Sequence, residues 1–324
     1  MSKGDAVEMK LKPLVKGTLS FAVPALRSMR SPGFETTGAE YCYSVFLRHF
    51  SHIAPLTGGI MPNSVAEFGP GSSIGVGLCA LLAGAAAYTG LDVVDSTHAG
   101  LNLEAFDRLV EMFRSRRPVP QSGAFAPIFT PAADWAFPAA LLPNLEWSLE
   151  PDRLRRIRAD IADKSGAFIR VATPWTRAGL IAPRSLDWIF SQSVLEHVDD
   201  AGEVYDCSRQ WLRPGGLMSH ENDYTSHDLT RHWNGHWTIG DIAWKALRGR
   251  RPYLINRLPH SGHVEMLKAR GFEIVVELGD VRANEALPRS QFAPPFDRMN
   301  VADATTAIVF FVARTPDESV ERSI

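Results

Sequence analysis

The chain has 324 residues, of which 45% are hydrophobic and 22% charged, the balance of a globular protein with a sizeable core. Its net charge of -2 gives no general attraction to nucleic acid or to an anionic membrane. The three cysteines, Cys42, Cys79 and Cys207, match no metal-ligand spacing. The opening MSKGDAVEMKLK lacks the apolar segment of a signal peptide, so we expect a cytoplasmic protein without nucleic-acid or membrane partners.

The first 61 residues are predicted to form a helical leader, in which residues 41–53 have the apolar periodicity of an amphipathic helix. Residues 64–68 follow as a strand, and a glycine-rich turn leads into a helix over residues 73–84. Residues 87–94 form the next strand. A strand, helix and strand of this size predict two parallel strands joined by a right-handed crossover.

The regular alternation is interrupted over residues 96–150. This insertion carries one predicted helix, residues 102–113, and a proline-rich segment, residues 118–143, that is too long for an ordinary loop. We expect the insertion to be a cap or an interaction surface, with a homodimer contact as one candidate role. Residues 151–164 form a helix that begins with Pro-Asp and stops before Gly166.

Strands and helices alternate again in the second half of the chain. Strands are predicted at residues 167–172, 186–191, 216–221, 272–278 and 306–314, and helices at 201–212 and 263–270. With the first two strands they make an α/β fold, a doubly wound, mostly parallel, seven-stranded Rossmann-like sheet with ligand chemistry at the strand carboxyl ends. We expect this domain to span residues 62–315, with insertions at 96–150 and 224–262 and a tail at 316–324.

The turn after the first strand reads EFGPGSSIG, residues 67–75. The gap between its second and third glycines is one residue longer than in the GxGxxG turn of dinucleotide-binding proteins. Glu67 precedes the turn, and Asp92 stands near the end of the second strand. Glycines let a backbone approach a ligand closely, and the acids suit a ligand that carries hydroxyls or an amino group.

Four segments resemble the class I S-adenosylmethionine-dependent methyltransferases in their order and spacing. They are EFGPGSSIG at residues 67–75, GLD at 90–92, LDWIFSQSVLEHV at 186–198 and LRPGGLM at 212–218. The sequence looks closest to the small-molecule and glycan methyltransferases with an LEHV-type motif after the fourth strand. The resemblance implies S-adenosylmethionine as the cofactor and an enzyme that methylates a small molecule or a glycan.

The resemblance also implies which residues contact the cofactor. Glu67 would help to hold its amino group, partly through water, and Asp92 would accept hydrogen bonds from both ribose hydroxyls. Where the family often has an acid or a short polar residue after the third strand, this chain has VATPW, and backbone and packing would cover the adenine. The implied cofactor-binding residues are Glu67, Gly69, Pro70, Gly71, Asp92, Val93, Ala172, Thr173, Ser191, Gln192 and Ser193.

The segment after the fifth strand, residues 219–237, reads SHENDYTSHDLTRHWNGHW and is rich in histidine and acids. In the family this segment commonly borders the acceptor pocket. If the acceptor is a hydroxyl, a base must remove its proton, and histidine suits this role near neutral pH. We therefore predict His227 or His232 as the base, with Trp233 as a wall of the acceptor pocket.

Three interpretations of these histidines stay open. They could be structural, hydrogen-bonded to acids and backbone in a polar loop, or one of them could be the base. A metal site could use His232 and His236 with Asp223 and Asp228, but an Asn-Gly pair interrupts any helix there, so we expect no metal ligands. His197, in LEHV, is expected to pack and form hydrogen bonds.

The predicted activity is methyl transfer from S-adenosylmethionine to oxygen. The alternatives are an N-methyltransferase, a non-catalytic module that binds the same cofactor, and an NAD(P)-dependent oxidoreductase. The glycine spacing and the LRPGG element argue against the oxidoreductase. The identity of the acceptor has no motif in this sequence.

Overall fold

The computed structural model describes residues 9–20, 37–121, 125–177, 179–251 and 254–317. Parts of the predicted leader and tail, residues 1–8, 21–36 and 318–324, lie outside the described residues. The strands are β1 Ser64–Phe68, β2 Ala87–Leu91, β3 Ile169–Ala172, β4 Leu186–Gln192, β5 Leu212–Asp223, β6 Glu273–Val281 and β7 Thr306–Arg314. The α-helices of the described residues are α1 Leu11–Leu19, α2 Ala39–Ile53, α3 Gly75–Ala83, α4 Ala99–Arg114, α5 Leu142–Ser148, α6 Pro151–Asp163, α7 Ala201–Trp211, α8 Asp241–Arg248, α9 His260–Ala269 and α10 Val301–Thr305.

The seven strands form one sheet in the order β3-β2-β1-β4-β5-β7-β6. The neighbours from β3 to β5 pair in parallel, whereas β7 runs antiparallel to both β5 and β6. This confirms the predicted doubly wound, mostly parallel sheet of seven strands. The strand order reverses between β1 and β4, and ligands bind at the carboxyl ends of strands beside such a reversal.

Apolar side chains cover both faces of the sheet. Trp188 and Phe190 of β4 enter the core that contains α2, α3 and α4, while Ile189 between them enters the core beneath α7 and α9. Alternate residues of a strand point to opposite faces, so a strand buried on both sides must be apolar throughout. This explains why LDWIF reads as a continuous apolar run broken by a single acid.

The bounds of β2 and β5 differ from the predicted ones. β1 and β7 have the predicted bounds, but β2 ends at Leu91, so Asp92 lies in the following loop. β5 begins at Leu212, four residues before the predicted start. Leu212 pairs with Leu186 across a register shift, and Gly215 has a φ of 70°, so the LRPGG element is an irregular part of the strand.

Helix α2 holds the proline-rich insertion in place. The guanidinium of Arg48 is 3% exposed and donates to the carbonyl oxygens of Thr130 at 2.6 Å and Pro120 at 3.2 Å. The hydroxyl of Tyr43 donates to the carbonyl of Arg117 at 2.6 Å. A buried guanidinium needs such acceptors. These hydrogen bonds therefore hold Arg117, Pro120 and Thr130 of the insertion against α2.

Helix α1 packs against α8 in the second insertion. A Cβ atom on Gly17 would lie only 2.0 Å from the carbonyl oxygen of Leu247, so the two backbones touch. Arg251 adds a hydrogen bond to the carbonyl of Pro13 at 3.2 Å. Among the described helices, none combines the length and the apolar character that crossing a bilayer requires.

Candidate functional site

The glycine turn after β1 has two positions of left-handed backbone, with φ of 68° at Gly69 and 64° at Gly71. A Cβ atom on Gly69 would lie 2.7 Å from the side chain of Val194, so this glycine is needed for close packing. A Cβ atom on Gly71 would have no other atom within 4 Å. Gly71 therefore presents bare backbone to open space, as close approach of a ligand requires.

Asp92 stands beside this turn, directly after β2. One carboxylate oxygen accepts a hydrogen bond from the Gly71 N–H at 3.1 Å, and the other accepts from the Val93 N–H at 2.7 Å. The Gly69 N–H donates to the carbonyl of Leu91 at 2.8 Å, and Pro70 lies against Gly90. The turn and the acid are thus held together, and the Asp92 carboxylate is half-buried at the carboxyl end of β2.

The loop after β3 completes this group of predicted cofactor residues. The Asp92 N–H donates to the carbonyl of Ala172 at 3.2 Å, and the Trp175 N–H donates to the carbonyl of Asp92 at 2.8 Å. Ala172 is buried, and Thr173 is half-buried next to it. The loops after β1, β2 and β3 therefore meet, as expected for parallel strands that end at one edge.

Glu67, one residue before the end of β1, is only 4% exposed. Its carboxyl group accepts a hydrogen bond from the hydroxyl of Tyr88 at 2.6 Å. Burial raises the pKa of Glu67 to about 8, and the carboxylate of Asp92 adds to this rise, against the lowering effects of Tyr88 and the Gly77 N–H. At neutral pH the Glu67 carboxyl group is mainly protonated in the protein without ligand.

The three predicted residues after Phe190 have different environments. Ser191 is fully buried, and its hydroxyl lies 2.7 Å from Nδ1 of His220. Gln192 and Ser193 are half-buried. The Gln192 amide donates to the carboxylate of Glu221, and the Ser193 N–H donates to the carbonyl of Glu221 at 2.8 Å.

A buried polar network connects Gln192 to the proline-rich insertion. The carboxylate of Glu221 accepts hydrogen bonds from both the N–H and the hydroxyl of Thr130. His49 of α2 lies 3.1 Å from the Gln192 carbonyl oxygen and 2.8 Å from the hydroxyl of Ser219. Burial lowers the pKa of His49 to about 4, so this imidazole is neutral and joins the network as one donor and one acceptor.

The LEHV motif forms a short helical turn, Leu195–His197, directly after β4. Asn256 fixes this turn: its N–H donates to the carbonyl of Glu196 at 2.6 Å, and its side-chain amide donates to the carbonyls of Leu195 at 2.8 Å and Val198 at 2.9 Å. The carbonyl groups of Leu195, Glu196 and Val198 thus all accept hydrogen bonds, and the turn that carries the side chain of Glu196 is held in place.

Glu196 is 2% exposed, and neither of its carboxylate oxygens accepts a hydrogen bond from the described residues. Its Oε1 lies 3.9 Å from Nε2 of His227, which lies 3.4 Å from Oδ2 of Asp223 at the end of β5. The ring centroids of His227 and His197 are 4.9 Å apart. Burial raises the pKa of Glu196 well above its usual range, and the Asp223 carboxylate raises it further, while the backbone N–H groups of Glu196 and Asp223 oppose the rise.

The two histidines predicted as candidate bases are in different places. His227 belongs to the cluster just described, with a side chain that is 29% exposed and a φ of 46°. The side chain of His232 is exposed, and its carbonyl accepts hydrogen bonds from the hydroxyls of Ser226 and Thr230. His227, but not His232, therefore lies next to acids at the carboxyl ends of the strands.

Trp233 and Trp237 lie on the loop after β5. Trp233 is half-buried, and its indole N–H has no hydrogen-bond acceptor among the described residues. Its ring meets that of Trp237 edge-on at 6.4 Å. His236 packs on Trp237, and burial lowers its pKa to about 3, so His236 is neutral.

Three residues of this region were not predicted from the sequence. Tyr88 is the partner of Glu67, Asn256 fixes the LEHV turn, and Glu196 shares a cluster with His227. The signal for Tyr88 was available, because an aromatic residue on the adjacent strand faces the same side of the sheet as Glu67. Nothing local could reveal the contact between Glu196 and His227, which lie on separate loops.

Neither the models of known protein families nor the curated protein sequences give a match. Similar solved structures include phosphoethanolamine N-methyltransferase 2 of Haemonchus contortus in complex with S-adenosyl-L-methionine, with 13% identity and a TM-score of 0.42 over 86% of this chain and 57% of that chain. A candidate sarcosine dimethylglycine methyltransferase of Galdieria sulphuraria has 11% identity and a TM-score of 0.43 over 85% of both chains. The cyclase SpnF has 14% identity and a TM-score of 0.41 over 95% of this chain and 94% of that chain.

Identities and TM-scores this low say nothing about the substrate of this chain. The fold is recognised instead from the sheet itself. Five parallel strands in the order β3-β2-β1-β4-β5 continue into the antiparallel β7 and then β6 at the edge. The residues present also fit the cofactor that the resemblance implies, because the bare backbone of Gly71 faces open space beside a carboxylate, that of Asp92. The chain therefore has the fold of the class I S-adenosylmethionine-dependent methyltransferases.

Proposed function

We propose that this protein transfers a methyl group from S-adenosylmethionine to a hydroxyl group of a small-molecule or glycan acceptor. One observation carries the proposal: the glycine turn touches the loop that presents an acid and histidine cluster. The contact is made by Gly69 and Val194, and Val194 is two residues before Glu196. A cofactor on the turn and an acceptor on the cluster would be neighbours.

The donor side of this site would be formed by the loops after β1, β2 and β3. Asp92 is suited to the ribose hydroxyls, since its carboxylate is already fixed beside the turn by the Gly71 N–H. The exposed Val93 and the backbone of Ala172 and Thr173 would flank the adenine. Glu67 would pair with the amino group, which favours the ionised form of its buried carboxyl group.

The chemistry needs alignment and the removal of one proton. S-adenosylmethionine supplies a methyl group on a positively charged sulfur, which is displaced in line by the acceptor oxygen. In the proposed reaction the acceptor O–H bond breaks, its proton passes to His227, and the oxygen forms the new bond to carbon. Asp223 would orient the imidazole through Nε2, which leaves Nδ1 as the atom that takes the proton.

The two insertions would cover the acceptor. The proline-rich segment reaches the end of β5 through Thr130 and Glu221, and Trp233 offers an aromatic wall with an unsatisfied N–H donor. A polar acceptor with an oxygen near that donor suits such a pocket better than a purely apolar one. Exclusion of water by these segments would protect the methyl donor from hydrolysis.

Calorimetric binding of S-adenosylmethionine, S-adenosylhomocysteine and NADH tests the proposal at the donor side. We expect both sulfur ligands to bind and NADH not to bind. Asp92→Ala should weaken the sulfur ligands by about tenfold or more, in line with about 1.5–3 kcal/mol for a hydrogen bond to a charged group. Asp95→Ala is the matched control, because Asp95 is an exposed acid three residues later that pairs with Lys164.

The acceptor side is tested by incubation with S-adenosylmethionine and a library of hydroxyl and amine compounds, with mass spectrometry to detect the gain of one methyl group. Methylated hydroxyl compounds are the expected products. Products methylated only on nitrogen would refute O-methylation, and absence of binding to all three donor-side ligands would refute the enzyme itself.

A further inference from the structure

We propose that Glu196, His197 and His227 form a binding site for one divalent transition-metal ion. One ligand atom from each of the three side chains lies within 4.8 Å of the other two. The site stands on two loops, after β4 and after β5, at the edge where the acceptor is proposed to bind. It differs from the pair His232 and His236 that the spacing of the sequence suggests, because the side chain of His232 is exposed elsewhere on the loop.

The strongest observation is the environment of Glu196. This carboxyl group is 2% exposed, and both of its oxygens lack a hydrogen-bond donor among the described residues. Polar groups this deeply buried are normally paired, because burial without a partner costs free energy. A second acid faces the same cluster, because Oδ2 of Asp223 lies 3.4 Å from Nε2 of His227. A cation is the partner that this arrangement calls for.

The distances fit a site that closes slightly around an ion. Nε2 of His227 lies 3.9 Å from Oε1 of Glu196 and 3.4 Å from Oδ2 of Asp223. Ligand atoms with metal bonds of about 2.1 Å are separated by roughly 3–3.5 Å in tetrahedral or octahedral geometry. The side chain of His227 is partly exposed and can rotate to take up this difference, while Asn256 keeps the Glu196 turn fixed.

The donor atoms select the class of ion. Two imidazoles and one carboxylate suit Zn²⁺, Mn²⁺, Fe²⁺ or Co²⁺, whereas Mg²⁺ and Ca²⁺ prefer oxygen ligands. Three protein ligands leave at least one coordination position open, which is the pattern of catalytic and not of structural metal sites. Asp223 is placed to be a fourth ligand or to accept a hydrogen bond from a bound water or hydroxyl.

The role of the ion in catalysis rests on the proposed function, whereas its binding does not. A hydroxyl acceptor at the open position would become more acidic, as water does on a bound metal ion. Its proton would pass to the Asp223 carboxylate, the oxygen would form the bond to the methyl carbon, and the donor sulfur would keep the electron pair of the broken bond. Coordination would use the Nε2 lone pair of His227, so Asp223 would replace His227 as the base whenever the ion is bound, and proton transfer to His227 would apply to the protein without the ion.

Calorimetric titration with Zn²⁺ of the full chain, freed of metal with a chelator, tests the site. One ion should bind per chain, and Co²⁺ in its place should give visible absorption bands typical of nitrogen and oxygen ligands. Glu196→Gln and His227→Gln should each weaken binding by about tenfold or more, because each removes a ligand of the ion. His232→Gln is the matched control on the same loop and should leave the affinity unchanged.

Absence of Zn²⁺ and Co²⁺ binding would overturn the proposal, as would equal affinity in the Glu196→Gln variant or equal loss in the His232→Gln control. Circular dichroism of each variant checks folding; if Glu196→Gln does not fold, His227→Gln and the cobalt spectrum of the unaltered protein decide. S-adenosylhomocysteine binding, measured on the same samples, separates the two proposals. Metal binding without it would leave the site standing and refute the methyltransferase, and the reverse result would refute the site alone.

Discussion

Replacing Glu67 by glutamine should abolish a release of protons that accompanies cofactor binding. In the free protein, burial raises the pKa of Glu67 to about 8, so at pH 7 the group is about nine-tenths protonated. An ammonium group placed next to it would favour the carboxylate and lower that pKa. Binding of S-adenosylhomocysteine, which has the amino group but no charge on sulfur, should therefore release close to one proton per molecule.

The cost of this ionisation can be worked out from the same pKa. Ionising a group of pKa about 8 at pH 7 requires about 1.4 kcal/mol, or about a tenfold loss of affinity relative to a protein in which the carboxylate is already charged. The gain from pairing with the ammonium must exceed this cost if Glu67 contributes to binding. Glu67→Gln keeps the shape of the side chain and removes its ability to ionise, so it should bind the ligand more weakly and release no proton.

Calorimetry at pH 7 in phosphate and in Tris measures the release, because the buffers take up a proton with different enthalpies. The difference between the two binding enthalpies gives the number of protons. Asp95→Asn, an exposed acid nearby, should behave like the unaltered protein. Equal enthalpies in the two buffers for the unaltered protein, or a release that persists in Glu67→Gln, would refute the assignment of Glu67 to the amino group.

Three further predictions concern stability, each measured by urea unfolding. Because the folded-state pKa of Glu67 is raised from 4.5 to about 8, its stabilising effect is complete below pH 4.5 and is lost as the pH rises through 8. Over this range the free energy of unfolding of the unaltered protein should fall on the order of 4 kcal/mol more than that of Glu67→Gln. Parallel pH profiles for the two proteins would contradict this. Gly69→Ala should lower the free energy of unfolding by about 2–4 kcal/mol, because it places alanine in left-handed backbone and makes it collide with Val194. Gly71→Ala should lower it by only about 1 kcal/mol, because only the backbone conformation is unfavourable there. Equal losses in the two variants would contradict this. Arg48→Met should cost about 3 kcal/mol, because it strips the hydrogen bonds from the buried carbonyl of Thr130, and a loss below 1 kcal/mol would show that water replaces the guanidinium.

The sheet was predictable because its signals are local. The apolar run at LDWIF and the acid-glycine turn at residue 67 each mark one strand and its end without reference to the rest of the chain. Parallel strands end at one edge, so Asp92 and Gly71 could be expected to meet, and they do. The early start of β5 was not predictable from LRPGG, because proline and glycine normally mark a turn, and only pairing with β4 makes this segment a strand.

The acid and histidine cluster was not predictable for a different reason. Glu196 and His227 lie on two loops, and their contact depends on how Asn256 fixes one loop and how the left-handed backbone at residue 227 turns the other. His197 was expected to be a packing residue because nothing in its sequence neighbourhood distinguishes it from one. Charge and burial together identify the cluster, and burial of a single acid cannot be read from the sequence.

The contact between Gly69 and Val194 has a consequence for how such a protein can change its specificity. In the proposed site, the donor half would be formed by the ends of β1, β2 and β3, while the acceptor half would depend on the proline-rich segment held by Arg48 and Glu221. The side chain of Val194, on the loop after β4, packs against Gly69 of the glycine turn. On this proposal, a proline-rich segment of new length or composition would change the acceptor while the donor half kept its geometry, provided that residue 194 kept its volume.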